Sequence, residues 1–210
     1  MKLVRPRRRL PYKYIMRLKL SLPQPSEELI STCLKLATIS SMRDACKLKW
    51  FTDINSNSNS TAHQFQTNDT LIKLALKEYQ EFFPTEILTP TSIIFSNITS
   101  KVASYPPHSD LNRYVALNFY LNAGGENVTT VFYDKHDGYE INGGKLHPYT
   151  DLKIDSVYKF DINTWYALSV RQVHSVENIT NDRIMFALGF YEPITWPEFV
   201  KKYSHLVISD

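Results

Sequence analysis

The chain has 210 residues, of which 43% are hydrophobic and 21% charged, which is the composition of an ordinary globular protein. This length suffices for one domain with a hydrophobic core. No apolar run approaches the roughly 20 residues that cross a bilayer, which argues against a membrane protein. Cys33 and Cys46 are too few for a disulfide framework and match no zinc spacing, so we expect a protein of the reducing cytoplasm.

The net charge of +3 is unevenly distributed along the chain. Residues 1–20 contain eight Lys and Arg and no acid, which leaves 16 basic and 21 acidic side chains in the remainder. A basic segment on a mildly acidic protein can bind nucleic acid, and residues 2–19 are the candidate for such a contact. A first strand with a solvated end explains the same charges, and we favour that interpretation.

The first third of the chain predicts one strand and two helices. Residues 10–22 alternate loosely between apolar and polar side chains, as a strand with one buried face does. Ser26 is suited to cap a helix whose first turn is acidic. The repetitive polar residues 55–61 predict a loop, and the apolar pattern of residues 69–83 predicts a second helix that ends at Pro84.

From residue 91 onward the sequence changes to short β-rich runs, at residues 92–98, 113–121, 129–133, 156–160, 165–170 and 183–191. Their spacing and the Gly, Asn, Asp and Pro between them predict an antiparallel sandwich or barrel. The polar residues 134–155 predict a long loop. Thr195-Trp-Pro-Glu198 predicts the start of a last helix.

These elements predict one domain over residues 1–210, of the α+β class and mainly β. Residues 1–90 would form the N-terminal strand and supporting helices. Residues 91–192 would form the β core, and residues 193–210 the C-terminal helix.

Two short segments carry the candidate chemistry. The first is Pro106-Pro-His-Ser-Asp110, and the second is Val173-His-Ser-Val-Glu-Asn178, with Arg183 nine residues after its histidine. Two imidazoles and one carboxylate can hold three adjacent corners of an octahedral metal and leave the others open, which suits non-haem Fe(II) and oxygen chemistry. Arg183 offers a planar, permanently charged fork for a dicarboxylate.

With these residues on or beside successive β-rich runs, the chain resembles the Fe(II)- and 2-oxoglutarate-dependent oxygenase superfamily. Residues 92–191 resemble its double-stranded β-helix core, a jelly-roll of the cupin type. Residues 113–133 resemble the prolyl-hydroxylase-like branch, in which an Arg precedes a "Tyr-Leu-Asn … Gly-Gly-Glu" stretch. Residues 173–178 also resemble aspartyl/asparaginyl hydroxylases and small oxygenases carried by phages, in which case the location would be the host cytoplasm.

The resemblance implies Fe(II), 2-oxoglutarate and O2 as the reacting partners. It implies His108, Asp110 and His174 as metal ligands and Arg183 as the anchor of the far carboxylate of 2-oxoglutarate. Many relatives place Ser two residues after the Arg to share that carboxylate, whereas this chain has Met185. The hydroxyls of Tyr105, Tyr120 and Thr130 are therefore the candidates to share that carboxylate with Arg183. Asn118 is the candidate contact to the C1 carboxylate of 2-oxoglutarate.

The implied reaction is hydroxylation of a C–H bond, coupled to decarboxylation of 2-oxoglutarate to succinate and CO2. Asp110 favours hydroxylation because halogenating relatives lack that carboxylate. Strict prolyl-4-hydroxylases carry Lys where this chain has Arg183. A peptide or protein side chain of the prolyl or aspartyl/asparaginyl type is the first choice of substrate, before a small metabolite or a nucleobase. The alternatives are a non-catalytic jelly-roll binding module and a cupin enzyme that uses no 2-oxoglutarate.

Overall fold

The computed structural model describes residues 15–38, 60–66, 69–97, 103–110, 113–134, 139–141, 144–146 and 149–208. The strands within these residues are β1 Arg17–Leu20, β2 Ser60–Gln66, β3 Leu88–Asn97, β4 Ala103–Asp110, β5 Val115–Ala123, β6 Thr129–Tyr133, β7 Tyr139–Ile141, β8 Gly144–Leu146, β9 Ile154–Tyr158, β10 Trp165–Ser169, β11 His174–Ile179, β12 Arg183–Phe190 and β13 Val207–Ile208. The described α-helices are α1 Glu27–Thr38, α2 Asp69–Tyr79 and α3 Trp196–Tyr203.

The strands form two antiparallel sheets. The larger sheet has the order β13-β1-β10-β5-β12-β3-β2, and the smaller one has the order β7-β8-β4-β11-β6-β9. Strands that are distant in sequence therefore lie side by side, as in a jelly-roll. The predicted fold class, a mainly β protein with a jelly-roll core and supporting helices, is confirmed.

The central strand β5 of the larger sheet is buried on both faces over most of its length. Val115, Leu117 and Phe119 pack in a cluster with the helices, whereas Ala116 and Tyr120 pack in a second cluster between the two sheets. Every residue from 115 to 120 is buried, which explains why this run, apart from Asn118, lacks the alternation of apolar and polar side chains of a half-exposed strand. The inner face of β5 is thereby directed toward the smaller sheet.

The helices cover the outer face of the larger sheet. The Ser26 hydroxyl accepts a hydrogen bond from the Leu29 amide at 3.1 Å, so Ser26 caps α1 as predicted. Thr195 and Glu198 form a reciprocal capping box at the start of α3. Among the described residues, no helix combines the length and the apolar character needed to cross a bilayer.

Several element bounds differ from the sequence predictions. The described part of the first strand is confined to β1, and residues 10–14 lie outside the described residues. The predicted loop at 55–61 overlaps the start of β2, while its residues 55–59 lie outside the described part. The second helix ends its α-helical part at Tyr79 and continues as a 3₁₀ turn over Gln80–Phe82.

The structure contains two central strands that the sequence pattern does not predict, β4 and β11. Pro106 and Pro107 lie within β4, where their missing amide protons argue against a strand. The pairing of β4 with β11 has register shifts on both sides of Val176, so the ladder is irregular where the prolines lie. A β7/β8 hairpin also stands within residues 134–155, and β8 pairs with β4.

Candidate metal site and acid pocket

The pairing of β4 with β11 brings the two candidate histidines together. His108 is the direct cross-strand partner of His174, and their ring centroids are 4.2 Å apart. Asp110 lies two residues further along β4, with its Oδ1 3.9 Å from Nε2 of His108. One ligand atom from each of the three side chains lies within 4.8 Å of the others. Within the described part of the chain, this is the one group of three such residues that could hold a metal ion.

Both imidazoles are oriented by a backbone carbonyl two residues earlier. Nδ1 of His108 lies 2.9 Å from the Pro106 carbonyl oxygen, and Nδ1 of His174 lies 2.9 Å from the Gln172 carbonyl oxygen. Because a carbonyl can only accept, each Nδ1 carries the proton and donates it. The Nε2 lone pair of each ring is then available to a metal.

The electrostatics of the site favour the protonation states that bind a metal. Burial, reinforced by the neighbouring His174 ring, lowers the pKa of His108 to about 3. Burial also lowers the pKa of His174. Burial alone would raise the pKa of Asp110, but the Arg113 guanidinium and the two imidazoles outweigh it and lower that pKa. Two neutral imidazoles and one carboxylate at neutral pH suit a divalent cation.

Arg183 is buried at the start of β12 without a carboxylate partner among the described ion pairs. Its side chain is 2% exposed, and its guanidinium lies 4.7 Å from the centre of the Tyr120 ring. Nη1 donates to the Ala123 carbonyl oxygen at 3.3 Å, while the buried Nε has no hydrogen-bond partner. Burial lowers the Arg183 pKa, and Tyr120 partly offsets that effect. A buried cation in this state fits an anionic ligand.

The turn after β5 lies directly against Arg183. Gly124 has φ +89°, and a Cβ placed on it would lie 2.9 Å from the Arg183 Cβ. This close approach leaves room only for glycine at position 124.

Two further candidate residues carry buried polar atoms without partners. These atoms are Oδ1 of Asn118 and Oγ1 of Thr130. Asn118 lies on β5 and donates from Nδ2 to the Tyr120 hydroxyl at 3.4 Å, which joins it to the surroundings of Arg183. Thr130 lies on β6, opposite Val176 of the His174 strand. Because an unsatisfied buried polar atom costs ~1–3 kcal/mol, their presence fits a polar ligand in this region. We call the surroundings of Arg183, Tyr120 and Asn118 the acid pocket.

An aromatic wall connects the acid pocket to the metal site. Phe132 stacks on His174 with ring centroids 5.6 Å apart, and it belongs to the same inner cluster as Tyr120. Phe160 stacks on Tyr120 at 4.9 Å and lies 6.0 Å from the Arg183 guanidinium. Met185, which stands where many of the oxygenases that the chain resembles have Ser, is also part of this apolar cluster.

The structure places Tyr105 beside the metal ligands. Its ring meets the His108 ring edge-on at 4.7 Å, and burial together with the Asp110 charge raises its pKa. Its surroundings therefore differ from those of Tyr120, which contacts Arg183 directly.

Sequence reasoning missed Arg113 as part of the site. Its Nε donates to Oδ2 of Asp110 at 2.5 Å. The Asp-x-x-Arg spacing allows an ion pair between Asp110 and Arg113. A separation of three residues across a strand end does not by itself predict that contact. Phe160 was also missed, because its run carried no polar residue that marked it as part of a site.

The basic N-terminal segment is only partly described. The Arg17 guanidinium lies 5.1 Å from the Tyr158 ring and 5.3 Å from the Tyr166 ring, and Lys19 Nζ is 3.6 Å from Oδ2 of Asp161. These two side chains contact the protein itself. Nucleic-acid binding by residues 2–19 stays a prediction, because Lys2, Arg5, Arg7, Arg8, Arg9 and Lys13 lie outside the described residues.

Comparisons with known proteins relate the chain by structure and not by sequence. No family model matches it, and no curated protein sequence does. The epimerase SnoN, solved in complex with Fe3+, alpha ketoglutarate and nogalamycin RO, matches with a TM-score of 0.53 and 12% identity over 85% of this chain and 80% of its own. This likeness shows that the chain shares the fold that the resemblance noted in the sequence implies.

Two weaker structural matches are a Pseudomonas putida prolyl-4-hydroxylase and E. coli ycfD. The hydroxylase has a TM-score of 0.43 and 16% identity over 84% of this chain and 91% of its own. The ycfD match has a TM-score of 0.41 and 12% identity over 73% of this chain. The present chain spans 39% of the ycfD chain.

Proposed function

We propose that this protein is an Fe(II)- and 2-oxoglutarate-dependent dioxygenase that hydroxylates a C–H bond. One observation carries the proposal. A His-Asp-His group able to hold a metal and a buried arginine with no carboxylate partner among the described ion pairs both contact one inner cluster, His174 through Phe132 and Arg183 through Tyr120. Metal binding alone would not need that arginine, and a structural jelly-roll would need neither group.

Each side chain of the metal site has a distinct task in this proposal. His108 and His174 would hold Fe(II) through Nε2, because their Nδ1 protons are committed to carbonyls. Asp110 would add Oδ1, because Oδ2 is occupied by Arg113. Bound Fe(II), together with 2-oxoglutarate, would supply the activation of O2 and the conversion of the co-substrate to succinate and CO2.

The acid pocket would bind and orient 2-oxoglutarate. Arg183 would pair with the far carboxylate through charge-assisted hydrogen bonds, and the Tyr120 hydroxyl is the nearest described candidate to share it. The unpartnered Thr130 hydroxyl could donate to the co-substrate, and Asn118 could donate to it through Nδ2, since its unpartnered Oδ1 can only accept. Phe132 and Phe160 would exclude water and thereby strengthen each of these polar contacts.

The complex of SnoN supports the cofactors but not a substrate. SnoN shares the fold and is described with Fe3+ and alpha ketoglutarate, and its reaction is an epimerisation. For this chain we propose a peptide or protein side chain as substrate, on the resemblance of residues 113–133 to prolyl hydroxylases. A small metabolite or a nucleobase is the alternative that a substrate screen must include.

Anaerobic spectroscopy tests the proposal before any substrate is known. Metal-free protein is titrated with Fe(II) and then 2-oxoglutarate, and we expect the weak visible charge-transfer band of the chelate. His174→Ala should lose the band with the metal, whereas Arg183→Gln should keep the metal and require far more 2-oxoglutarate. Folded wild-type protein that binds Fe(II) but gives no band would refute the co-substrate. Folded protein that binds no metal would favour the non-catalytic jelly-roll.

A screen for succinate then identifies the substrate class. Peptides containing Pro, Asp or Asn, free metabolites and nucleosides are tested as separate pools with O2 present. Succinate formation above the substrate-free rate, with a mass gain of one oxygen in the pool, identifies the acceptor. A pool that raises succinate without gaining oxygen would indicate a reaction other than hydroxylation.

A further inference from the structure

The ion pair between Arg113 and Asp110 is placed where it decides which carboxylate oxygen faces the metal site. Arg113 Nε donates to Oδ2 at 2.5 Å, while Oδ1 lies 3.9 Å from Nε2 of His108. The carboxylate is largely buried, with 15% of its side chain exposed, so this contact differs from an ordinary surface ion pair.

The backbone holds the two partners in place. The Asp110 amide donates to the Val170 carbonyl at 2.9 Å, and the Val170 amide donates to the Tyr114 carbonyl at 3.0 Å. Val170 therefore fixes the backbone both at the end of β4 and at Tyr114, the residue next to Arg113. These two backbone hydrogen bonds hold Asp110 and the residue next to Arg113 in place, so that the two side chains can pair.

All three candidate ligands follow one rule. Each has its second polar atom engaged by the protein, since both histidines donate Nδ1 to a carbonyl and Asp110 accepts at Oδ2 from Arg113. For histidine, such an outer contact sets the ring orientation and the tautomer. For a carboxylate, the equivalent contact has to come from a donor, and a guanidinium is the strongest fixed one available.

We propose that Arg113 is the positioning residue of Asp110 and presents Oδ1 as the single oxygen offered to the metal. This inference rests on the proposed metal site but not on 2-oxoglutarate binding. If Arg113 acted only through its charge, its removal would strengthen metal binding, because a nearby cation repels a divalent metal. If Arg113 positions Asp110, its removal should weaken metal binding. The direction of the change in metal affinity therefore separates the two roles.

The test is the dissociation constant of Mn(II), measured from the free-ion electron paramagnetic resonance signal without 2-oxoglutarate. Arg113→Gln should weaken binding by about tenfold or more, the range typical of outer contacts to metal ligands. Arg113→Lys should recover part of the loss, because an ammonium can still donate to Oδ2. The visible spectrum of bound Co(II) should change in Arg113→Gln, since the carboxylate is released.

Arg171→Gln is the matched control. Arg171 donates Nη1 to the backbone carbonyl of Asp110 at 3.0 Å, so this change removes an equal charge near the same residue without touching its carboxylate. We expect its Mn(II) affinity within about threefold of wild type. Equal urea midpoints of the metal-free variants would exclude a folding defect as the cause of weaker binding.

Mn(II) affinity in Arg113→Gln that equals or exceeds the wild-type value would overturn the positioning role. If Arg113→Gln does not fold, the Mn(II) affinity of Arg113→Lys is the test. An affinity equal to that of wild type would overturn the inference, and severalfold weaker binding would support it. Wild-type protein that binds Mn(II) but not 2-oxoglutarate would refute the proposed function and leave the role of Arg113 intact. Wild-type protein that binds no divalent metal would refute both.

Discussion

His108 should make the metal-free protein sensitive to acid. Its folded pKa of about 3 lies below the ordinary value of 6.5 for histidine. The unfolded chain therefore takes up a proton below pH 6.5 that the folded protein refuses, and stability falls as the pH falls until the folded pKa is reached. From pH 7 to pH 5 this difference corresponds to about 2 kcal/mol, at 1.36 kcal/mol per pKa unit.

The perturbation is His108→Asn, whose amide can still donate to the Pro106 carbonyl but takes up no proton. Urea unfolding in the presence of EDTA at pH 7 and pH 5 gives the loss of stability for each variant. We expect the loss to be smaller by about 2 kcal/mol in His108→Asn than in wild type. His205→Asn, at an exposed position near the C-terminus, should keep the wild-type loss. Equal losses in wild type and His108→Asn would show that the imidazole is not held neutral by burial.

Three further predictions concern the metal, the acid pocket and the core. His174→Ala should weaken Mn(II) binding by more than the ~10–100-fold typical of outer contacts, measured by equilibrium dialysis, and a smaller change would remove His174 from the ligand set. Arg183→Gln should weaken 2-oxoglutarate binding by about thirtyfold or more in calorimetry, yet change ligand-free stability by less than about 1 kcal/mol; a strongly destabilised variant would identify Arg183 as structural. Phe199→Ala should lower the free energy of unfolding in urea by about 3–5 kcal/mol, whereas Lys201→Ala at an exposed position should change it little. A small loss for Phe199→Ala would show that α3 is not part of the cooperative core.

The parts of the fold that the sequence predicts well are those with a single strong local signal. The capped start of α1, the strand β6 and the start of α3 follow from a side-chain cap, a β-branched run and a Pro after a capping Thr. Trp165 and Tyr166 belong to the predicted β-rich run 165–170, and both are buried. In each case the local preference and the tertiary structure agree.

The strands that carry the candidate ligands were the hardest to predict. β4 contains two prolines, and β11 is mostly polar and includes Asn178 at φ +63°. Both strands depend on pairing with partners more than 30 residues away in the chain, which a local pattern does not contain. Arg113 was missed for a related reason, because its contact with Asp110 depends on the backbone of Val170.

The residues of the acid pocket were only partly predictable. Asn118 and Tyr120 lie on the inner face of β5, which their even spacing indicated once the run was taken as a strand. Which of them would contact Arg183 depends on the bulge between β12 and β5 at Ile184 and Met185, which no sequence signal marks.

Gly124 makes the turn after β5 part of the acid pocket, although it offers no side chain to a ligand. A residue with a Cβ at this position would meet the Arg183 Cβ at 2.9 Å, and the φ of +89° would strain any L side chain, so the turn packs tightly against the start of β12. In a library of random variants, position 124 should therefore remain glycine whichever side chain stands at position 183, because every residue other than glycine carries the same Cβ. The requirement for glycine here comes from the backbone path of β12 at the residue that carries the guanidinium, and not from the guanidinium itself.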